Sequence, residues 1–209
     1  MTAWFLAGLV SVTPMSACAG TVEAEVDILT GHGRVVTGTN FSLSELRAMA
    51  TRSGRQGKHD PMGFYFAGFL YELSVDLDTR SSNGCLALAR VTVRASLTDR
   101  HIEIGRDLVN NACLFSLAHD HYERHAAADD VALARFASDL KQTSRNVLFP
   151  VLGGDVASVE EDRHRIDQAI SPIIEQHLEK LGEARNRARD DVDSPEEVER
   201  LSTTCPSNI

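Results

Sequence analysis

The sequence predicts an α+β domain in which an antiparallel sheet, formed by the N-terminal half, packs against a long histidine-bearing helix and a C-terminal helix. Apolar and polar residues alternate with a period of two in the first half of the chain. Beyond Asn110 the apolar spacing changes to three and four, which is the period of a helix. Because the strands precede the helices along the chain, we expect α+β architecture and not a doubly wound parallel sheet.

The composition is that of a globular protein. The chain has 209 residues, of which 43% are hydrophobic and 24% charged, and this excludes collagen-like, low-complexity and wholly disordered chains. The formal net charge is −9. An acidic chain without a dense basic run is a poor counter-charge for phosphate backbones, so we expect no nucleic-acid partner.

The N-terminus resembles a signal peptide. Residues 3–12 form an apolar run that is too short to cross a bilayer, and Ala17-Cys18-Ala19 fits the small-x-small cleavage pattern. We therefore expect a periplasmic or secreted protein without a transmembrane helix. The same residues resemble a lipoprotein processing site, in which case an acylated Cys18 would tether the chain to a membrane. The expected organisation is a signal peptide at 1–19, one domain at 20–182 and a charged, partly disordered tail at 183–209.

Three cysteines remain if Cys18 leaves with the signal peptide. In an oxidising compartment the natural pair is Cys85 with Cys113. Cys205 lies in the predicted tail and is then either free or paired with a retained Cys18.

The strands and the first helix follow from local patterns. Val22 to Ile28 alternates as a half-buried strand, and Ser42 with Glu45 forms a capping box for a short helix that ends at Gly54. Residues 64–77 and 91–97 also alternate, and they predict two long antiparallel strands. Ile102 and Ile104 suggest a short further strand.

Two long helices follow. The first is expected at about 111–145, and Ser158 with Glu161 caps the second, which Pro172 kinks or restarts. Ser194-Pro195 is a start signal for a last short helix. The apolar stripes of the two long helices are Leu114, Leu117, His121, His125, Ala128, Ala132 and Phe136 in the first, and Ile166, Ile170, Ile173, Ile174, Leu178 and Leu181 in the second.

The segment richest in chemistry is His119-Asp-His-Tyr-Glu-Arg-His125. Because His121 and His125 stand one helical turn apart on the apolar face, their imidazoles are placed to hold one zinc ion. Zincins do this with His-Glu-x-x-His, where the Glu is the general base. Here Tyr122 occupies the position of that base. Glu123 comes one residue later and points about 200° around the helix from His121. Tyr122 and Glu123 are the candidate catalytic residues.

The third metal ligand is expected from another helix. His177, on the stripe of the C-terminal helix, is the first candidate, and His164 and Glu161 are weaker ones. A histidine cluster on a helix is also compatible with a polar patch that binds no metal, and His177 with a residue of a helix interface.

The chain resembles a family of secreted bacterial proteins described as zinc-dependent proteases. The resemblance runs from about Val35 to Asp130, and in that family the motif reads His-Glu-x-x-His. It implies zinc at His121 and His125, leaves peptidase activity in doubt because the Glu is absent, and supports the disulfide between Cys85 and Cys113. The residues that carry it are Val36-Thr-Gly38, Ser44-Glu-Leu46, Cys85 before a Val-x-Val strand, Cys113, and the histidine motif itself.

The leading hypothesis is an exported zinc-binding protein that resembles these proteases and is a weak or inactive metallopeptidase. Its partner would be a peptide or protein substrate, hydrolysed through a zinc-bound water with Tyr122 or an acid from another segment assisting. Glu123 would serve only if a π-bulge turned it towards the ion. The alternative is a metal-free envelope protein with a structural or partner-binding role.

Overall fold

A computed structural model describes residues 23–52, 61–78, 88–152 and 159–205. The predicted signal peptide, Cys18 and Cys85 lie outside these residues. The elements in chain order are β1 (Glu23–His32), β2 (Val36–Gly38), α1 (Leu43–Arg52), β3 (Gly63–Asp78), β4 (Leu88–Ile104), a 3₁₀ turn (Arg106–Leu108), α2 (Ala112–Leu152), α3 (Val159–Val192) and α4 (Pro195–Thr203).

The α+β class is confirmed, but the sheet is mixed. β4 stands at its centre, with β3 antiparallel along one side and β1 followed by β2 parallel along the other. The antiparallel pair of long strands is therefore confirmed, whereas the prediction of a wholly antiparallel sheet is wrong for β1 and β2. These two strands reach β4 through α1 and β3, and a connection of that length allows parallel pairing.

A bulge in β4 divides the core into two clusters. Between Thr98 and His101, β4 has one residue more than the facing part of β3, and Asp99 adopts a left-handed conformation with φ of 48°. Odd-numbered residues such as Leu97 are buried before the bulge, whereas Ile102 and Ile104 are buried after it. The extra residue thus reverses which side chains face the helices, and Ile102 and Ile104 continue β4 instead of forming a separate strand.

The helices cover one face of the sheet. Both predicted stripes pack there, with Phe136 and Leu140 of α2 and Ile166, Ile170 and Ile174 of α3 in one cluster with the strands. The capping box is also confirmed, because the Ser42 N–H donates to Glu45 Oε2 at 2.7 Å. In the part of the chain that the structure describes, no helix is long and apolar enough to cross a membrane.

The C-terminal part of the chain differs from the prediction. α3 continues past residue 182 to Val192 as one helix that contains Pro172, so the chain does not restart there, and α4 follows with Ser194 as its N-cap. The predicted tail at 183–209 is thus helical over most of its described part. Its residues belong to the same folded unit as the rest of the domain.

The disulfide also differs. Cys113 is bonded to Cys205, with the two Cα atoms 5.9 Å apart, so the predicted pairing of Cys113 with Cys85 is wrong. Cys205 is buried, and it is neither free nor in a loose tail. The sequence could not show this, because α4 folds back on the start of α2 only in three dimensions.

Candidate metal centre

The two histidines of the motif converge on one point. His121 and His125 are both buried on the inner face of α2, and their Nε2 atoms lie 3.2 Å apart. Ile102 and Ile104 beyond the bulge pack in the cluster below this part of α2. The helical spacing of four residues therefore gives the geometry that the sequence predicts.

Asp193 supplies the third atom of the cluster. Its Oδ1 lies 3.2 Å from Nε2 of His121 and 3.0 Å from Nε2 of His125. Asp193 directly follows α3, where its N–H donates to the carbonyl of Arg189 at 2.8 Å. Among the described residues, these three are the group of His, Cys, Asp and Glu side chains placed to hold a metal ion.

The spacing of the three atoms fits zinc. With bonds of about 2.0–2.1 Å, ligand atoms at the corners of a tetrahedron lie about 3.3–3.4 Å apart. The observed separations of 3.0–3.2 Å are close to that edge. Two imidazoles and one carboxylate also leave the fourth corner open, as in catalytic zinc sites.

Glu197 fixes the orientation of His121. Its Oε1 lies 3.1 Å from Nδ1 of His121, and Arg124 also bonds to this oxygen. The hydrogen bonds from Arg200 hold the pKa of Glu197 at about 2 despite burial, with Arg124 and His121 acting in the same direction. An ionised Glu197 only accepts, so Nδ1 of His121 donates and its Nε2 is left to face the centre.

The three facing donor atoms need a proton or a cation between them. Burial opposes ionisation of Asp193, but the neighbouring imidazoles of His121 and His125 outweigh it and hold the pKa of this carboxyl well below its usual range. The Asp193 carboxylate therefore offers no proton to the Nε2 lone pair of a neutral His121. A protonated imidazole or a divalent cation would each remove the repulsion between this lone pair and the carboxylate, and the tetrahedral spacing fits the cation.

The Tyr122 hydroxyl forms two hydrogen bonds with the backbone of β3. Its hydroxyl donates to the carbonyl oxygen of Gly63 at 2.6 Å and accepts from the Gly63 N–H at 3.0 Å. Burial raises the pKa of Tyr122 because it disfavours the charged phenolate, and the negative charge of Asp193 acts in the same direction. The hydroxyl thus joins α2 to the start of β3, and its proton is held at Gly63.

Glu123 points away from the centre. On the exposed side of α2 its carboxylate lies 3.7 Å from Nε2 of His119, in the i, i+4 pair that the helical spacing allows. α2 runs without a π-bulge through this turn, so the structure does not bring Glu123 round to the histidines.

The other candidate ligands lie elsewhere. His177 faces the carbonyl oxygen of Ile173 and the hydroxyl of Thr143. Thr143 lies five turns beyond His125 on α2, about 27 Å along the helix. His177 is therefore far from the two histidines. His164 is exposed and bonds to Gln168, and Glu161 is also on the exposed side of α3. Asp193 takes the place that the sequence analysis gave to His177.

A cleft of about 1120 Å³ opens above the three ligands. One wall is formed by α1 and the start of β3, and the other by the end of α3 and by α4. The polar and apolar side chains that face each other across it include Arg47, Met62, Phe64, Arg189, Asp190 and Leu201. The site is therefore accessible to a ligand much larger than water.

Sequence reasoning missed Asp193 and Glu197 because it ended the second helix too early. Ala184, Ala188 and Val192 continue the apolar stripe of α3 at four-residue spacing, and this signal extends the helix to Asp193. Nothing local distinguishes Asp193 from Asp190 or Asp191. Only the packing of α3 on α2 selects it.

Comparison of the chain with family models, curated proteins and solved structures finds no match.

Proposed function

We propose that this chain is an exported zinc-binding protein in which His121, His125 and Asp193 hold the ion. The observation that carries the proposal is the convergence of two imidazole nitrogens and one carboxylate oxygen at 3.0–3.2 Å. The hydrogen bond from His121 Nδ1 to Glu197 supports it, because ligating histidines almost always donate their second N–H in this way.

Export is part of the proposal. The disulfide between Cys113 and Cys205 supports it, because such bonds persist in oxidising compartments. The apolar run at residues 3–12 with a small-x-small site after it supports it independently.

We further propose that the chain binds zinc without efficient peptide hydrolysis. A bound zinc ion would polarise a water molecule or a carbonyl oxygen in the cleft. Hydrolysis also needs a group that takes a proton at neutral pH, and the Tyr122 hydroxyl is bonded on both sides to Gly63. Glu197 is engaged by Arg124, Arg200 and His121. A peptidase base is thus missing from these positions.

The metal site is tested by metal content. Protein purified from the periplasm without an affinity tag should carry zinc near one equivalent, measured by inductively coupled plasma mass spectrometry. His121→Ala, His125→Ala and Asp193→Ala should each lose it, whereas His119→Ala and His177→Ala should retain it. Circular dichroism of every variant separates loss of metal from loss of fold. Wild-type protein that stays metal-free after zinc is offered and excess removed would refute the proposal.

The lack of hydrolysis is tested on the zinc-loaded protein with casein and a quenched fluorescent peptide library. We expect no turnover above that of His121→Ala. Zinc-dependent cleavage that disappears in His121→Ala would contradict this second part and leave the metal site standing. Asp190→Asn would then be the next variant, since Asp190 also lines the cleft.

A further inference from the structure

Both acids of the metal centre belong to one short segment at the end of the chain. Asp193 contributes a ligand atom, and Glu197 holds His121. We call residues 193–205, which contain these acids and α4, the C-terminal arm. The two histidines, in contrast, belong to α2. The centre is therefore complete only while the arm lies against α2.

Two contacts hold the arm to α2. The first is the contact of Glu197 with His121 and Arg124, and the second is the disulfide of Cys205 with Cys113. Eight residues separate the two contacts on each side, from Cys113 to His121 in α2 and from Glu197 to Cys205 in the arm. Eight residues of helix correspond to about 12 Å, so the spacing on the two sides matches when the arm runs antiparallel to α2.

The arm is also fixed at its start, where Asp193 directly continues α3. Glu197 and Cys205 are its fully buried residues, while Val198 and Leu201 are half-buried along the wall of the cleft. The exposed face of α4 carries Glu196, Glu199 and Ser202. The arm thus has a small apolar contact, and the disulfide is the covalent part of its attachment.

We propose that the bond between Cys113 and Cys205 controls the metal affinity of the centre, so that its reduction by a dithiol frees the arm and weakens zinc binding. This inference rests on the proposed zinc function. In the oxidised state the arm presents Asp193 and Glu197 in place. In the reduced state Asp193 still continues α3, whereas Glu197 keeps its contacts with His121 and Arg124 without the disulfide, and the entropy of the loosened arm opposes these contacts.

The chemical step is a thiol–disulfide exchange. Cys113 is exposed, so a thiolate of the dithiol attacks its Sγ, the Sγ–Sγ bond breaks, and Cys205 leaves as the thiolate. The second thiol of the reagent then displaces Cys113 from the mixed disulfide. Two electrons and two protons end on Cys113 and Cys205, and the dithiol leaves as its own cyclic disulfide.

The coupling must act in both directions. If reduction weakens zinc binding by a given factor, bound zinc makes the disulfide harder to reduce by the same factor. Changes around metal ligands outside the first coordination shell typically alter affinity about 10–100-fold, so we expect at least about a tenfold effect. A tenfold effect corresponds to about 30 mV in the two-electron potential of the disulfide.

The test measures the zinc dissociation constant by competition with a chromophoric chelator. Oxidised wild type is compared with Cys113→Ser/Cys205→Ser, and with wild type reduced by a phosphine and alkylated with iodoacetamide. The same reduction and alkylation applied to the double variant reports any contribution from Cys18 and Cys85. Circular dichroism checks that each sample is folded, and the reduced wild type keeps the test valid if the double variant does not fold.

We expect both opened forms to bind zinc at least about tenfold more weakly than oxidised wild type. A dissociation constant that is the same in all folded forms overturns the control by the disulfide and leaves the zinc function intact. Oxidised wild type that binds no zinc would instead show that the proposed function itself fails. As a second readout, zinc should shift the disulfide to dithiol ratio in a glutathione buffer towards the disulfide, and no shift contradicts the coupling.

Discussion

Tyr122 is the residue at which the chain departs from the His-Glu-x-x-His pattern, and its hydroxyl bonds to the backbone of Gly63. A Cβ atom at position 63 would lie 2.7 Å from Cε2 of Tyr122 and 2.3 Å from the carbonyl oxygen of Glu103. The absence of a side chain at Gly63 thus lets the tyrosine ring approach the strand and bond both backbone groups. The position next to the first histidine serves here to dock α2 on β3.

Tyr122→Phe should lower the free energy of unfolding by about 1–3 kcal/mol, because it leaves the buried N–H and carbonyl of Gly63 without their partner. Urea denaturation measures the change. Tyr71→Phe is the matched control, since Tyr71 is 44% exposed and its loss of a hydroxyl should be almost neutral. Equal effects of the two substitutions would show that the hydroxyl of Tyr122 contributes nothing.

At the scale of elements, the length of α3 decides which residues reach the metal centre. A helix that ended at residue 182 could not bring Asp193 to His121, whereas the observed helix carries it there and packs on α2 along the way. The ion pair of Arg185 with Asp129, at 2.7 and 2.9 Å, ties this last part of α3 to α2. Gly182, at the predicted end of the domain, lies inside α3.

Gly182→Ala should therefore raise the free energy of unfolding by about 1 kcal/mol, because glycine within a helix is less favourable than alanine by about that amount. Among the described residues, and apart from the adjacent backbone of α3 itself, no heavy atom lies within 4 Å of the added Cβ. Gly63→Ala is the opposite case, and the contact with the Glu103 carbonyl should destabilise the protein. Thermal denaturation of both variants measures the difference. A lower midpoint for Gly182→Ala would contradict a continuous α3.

At the scale of the whole molecule, the disulfide joins positions that are 92 residues apart in sequence. It closes a loop that includes all of α2 and α3, and therefore both halves of the metal centre. The bond links the first turn of α2 to Cys205, two residues beyond the end of α4. Cys205, in the segment predicted as a tail, is thus covalently joined to the start of α2.

Cys113→Ser/Cys205→Ser should lower the free energy of unfolding by about 4 kcal/mol in the chain-entropy picture of so long a loop. Urea denaturation without reductant measures it. Zinc-free protein is used for both forms, so that the loss of metal affinity does not add to the difference. An unchanged denaturation midpoint would mean that Cys113 and Cys205 are not bonded in the folded protein.

Local patterns in the sequence were sufficient for most of the elements and for two of the three side chains of the candidate metal centre. Alternation predicted β1, β3 and β4, the capping box predicted α1, and the spacing of four residues placed His121 and His125 together. Each of these results depends on neighbours within one or two turns, where the geometry of the backbone leaves few alternatives.

Contacts distant in sequence were decided by the tertiary structure alone. The parallel pairing of β1 with β4, the bond of Cys113 to Cys205 and the choice of Asp193 over His177 all depend on how complete elements pack. The bulge at Asp99 sets which side chains of β4 lie beneath the histidines. Residue types and spacings thus determined which helix carries the clustered histidines, but the antiparallel packing of α3 on α2 determined which acid lies beside them.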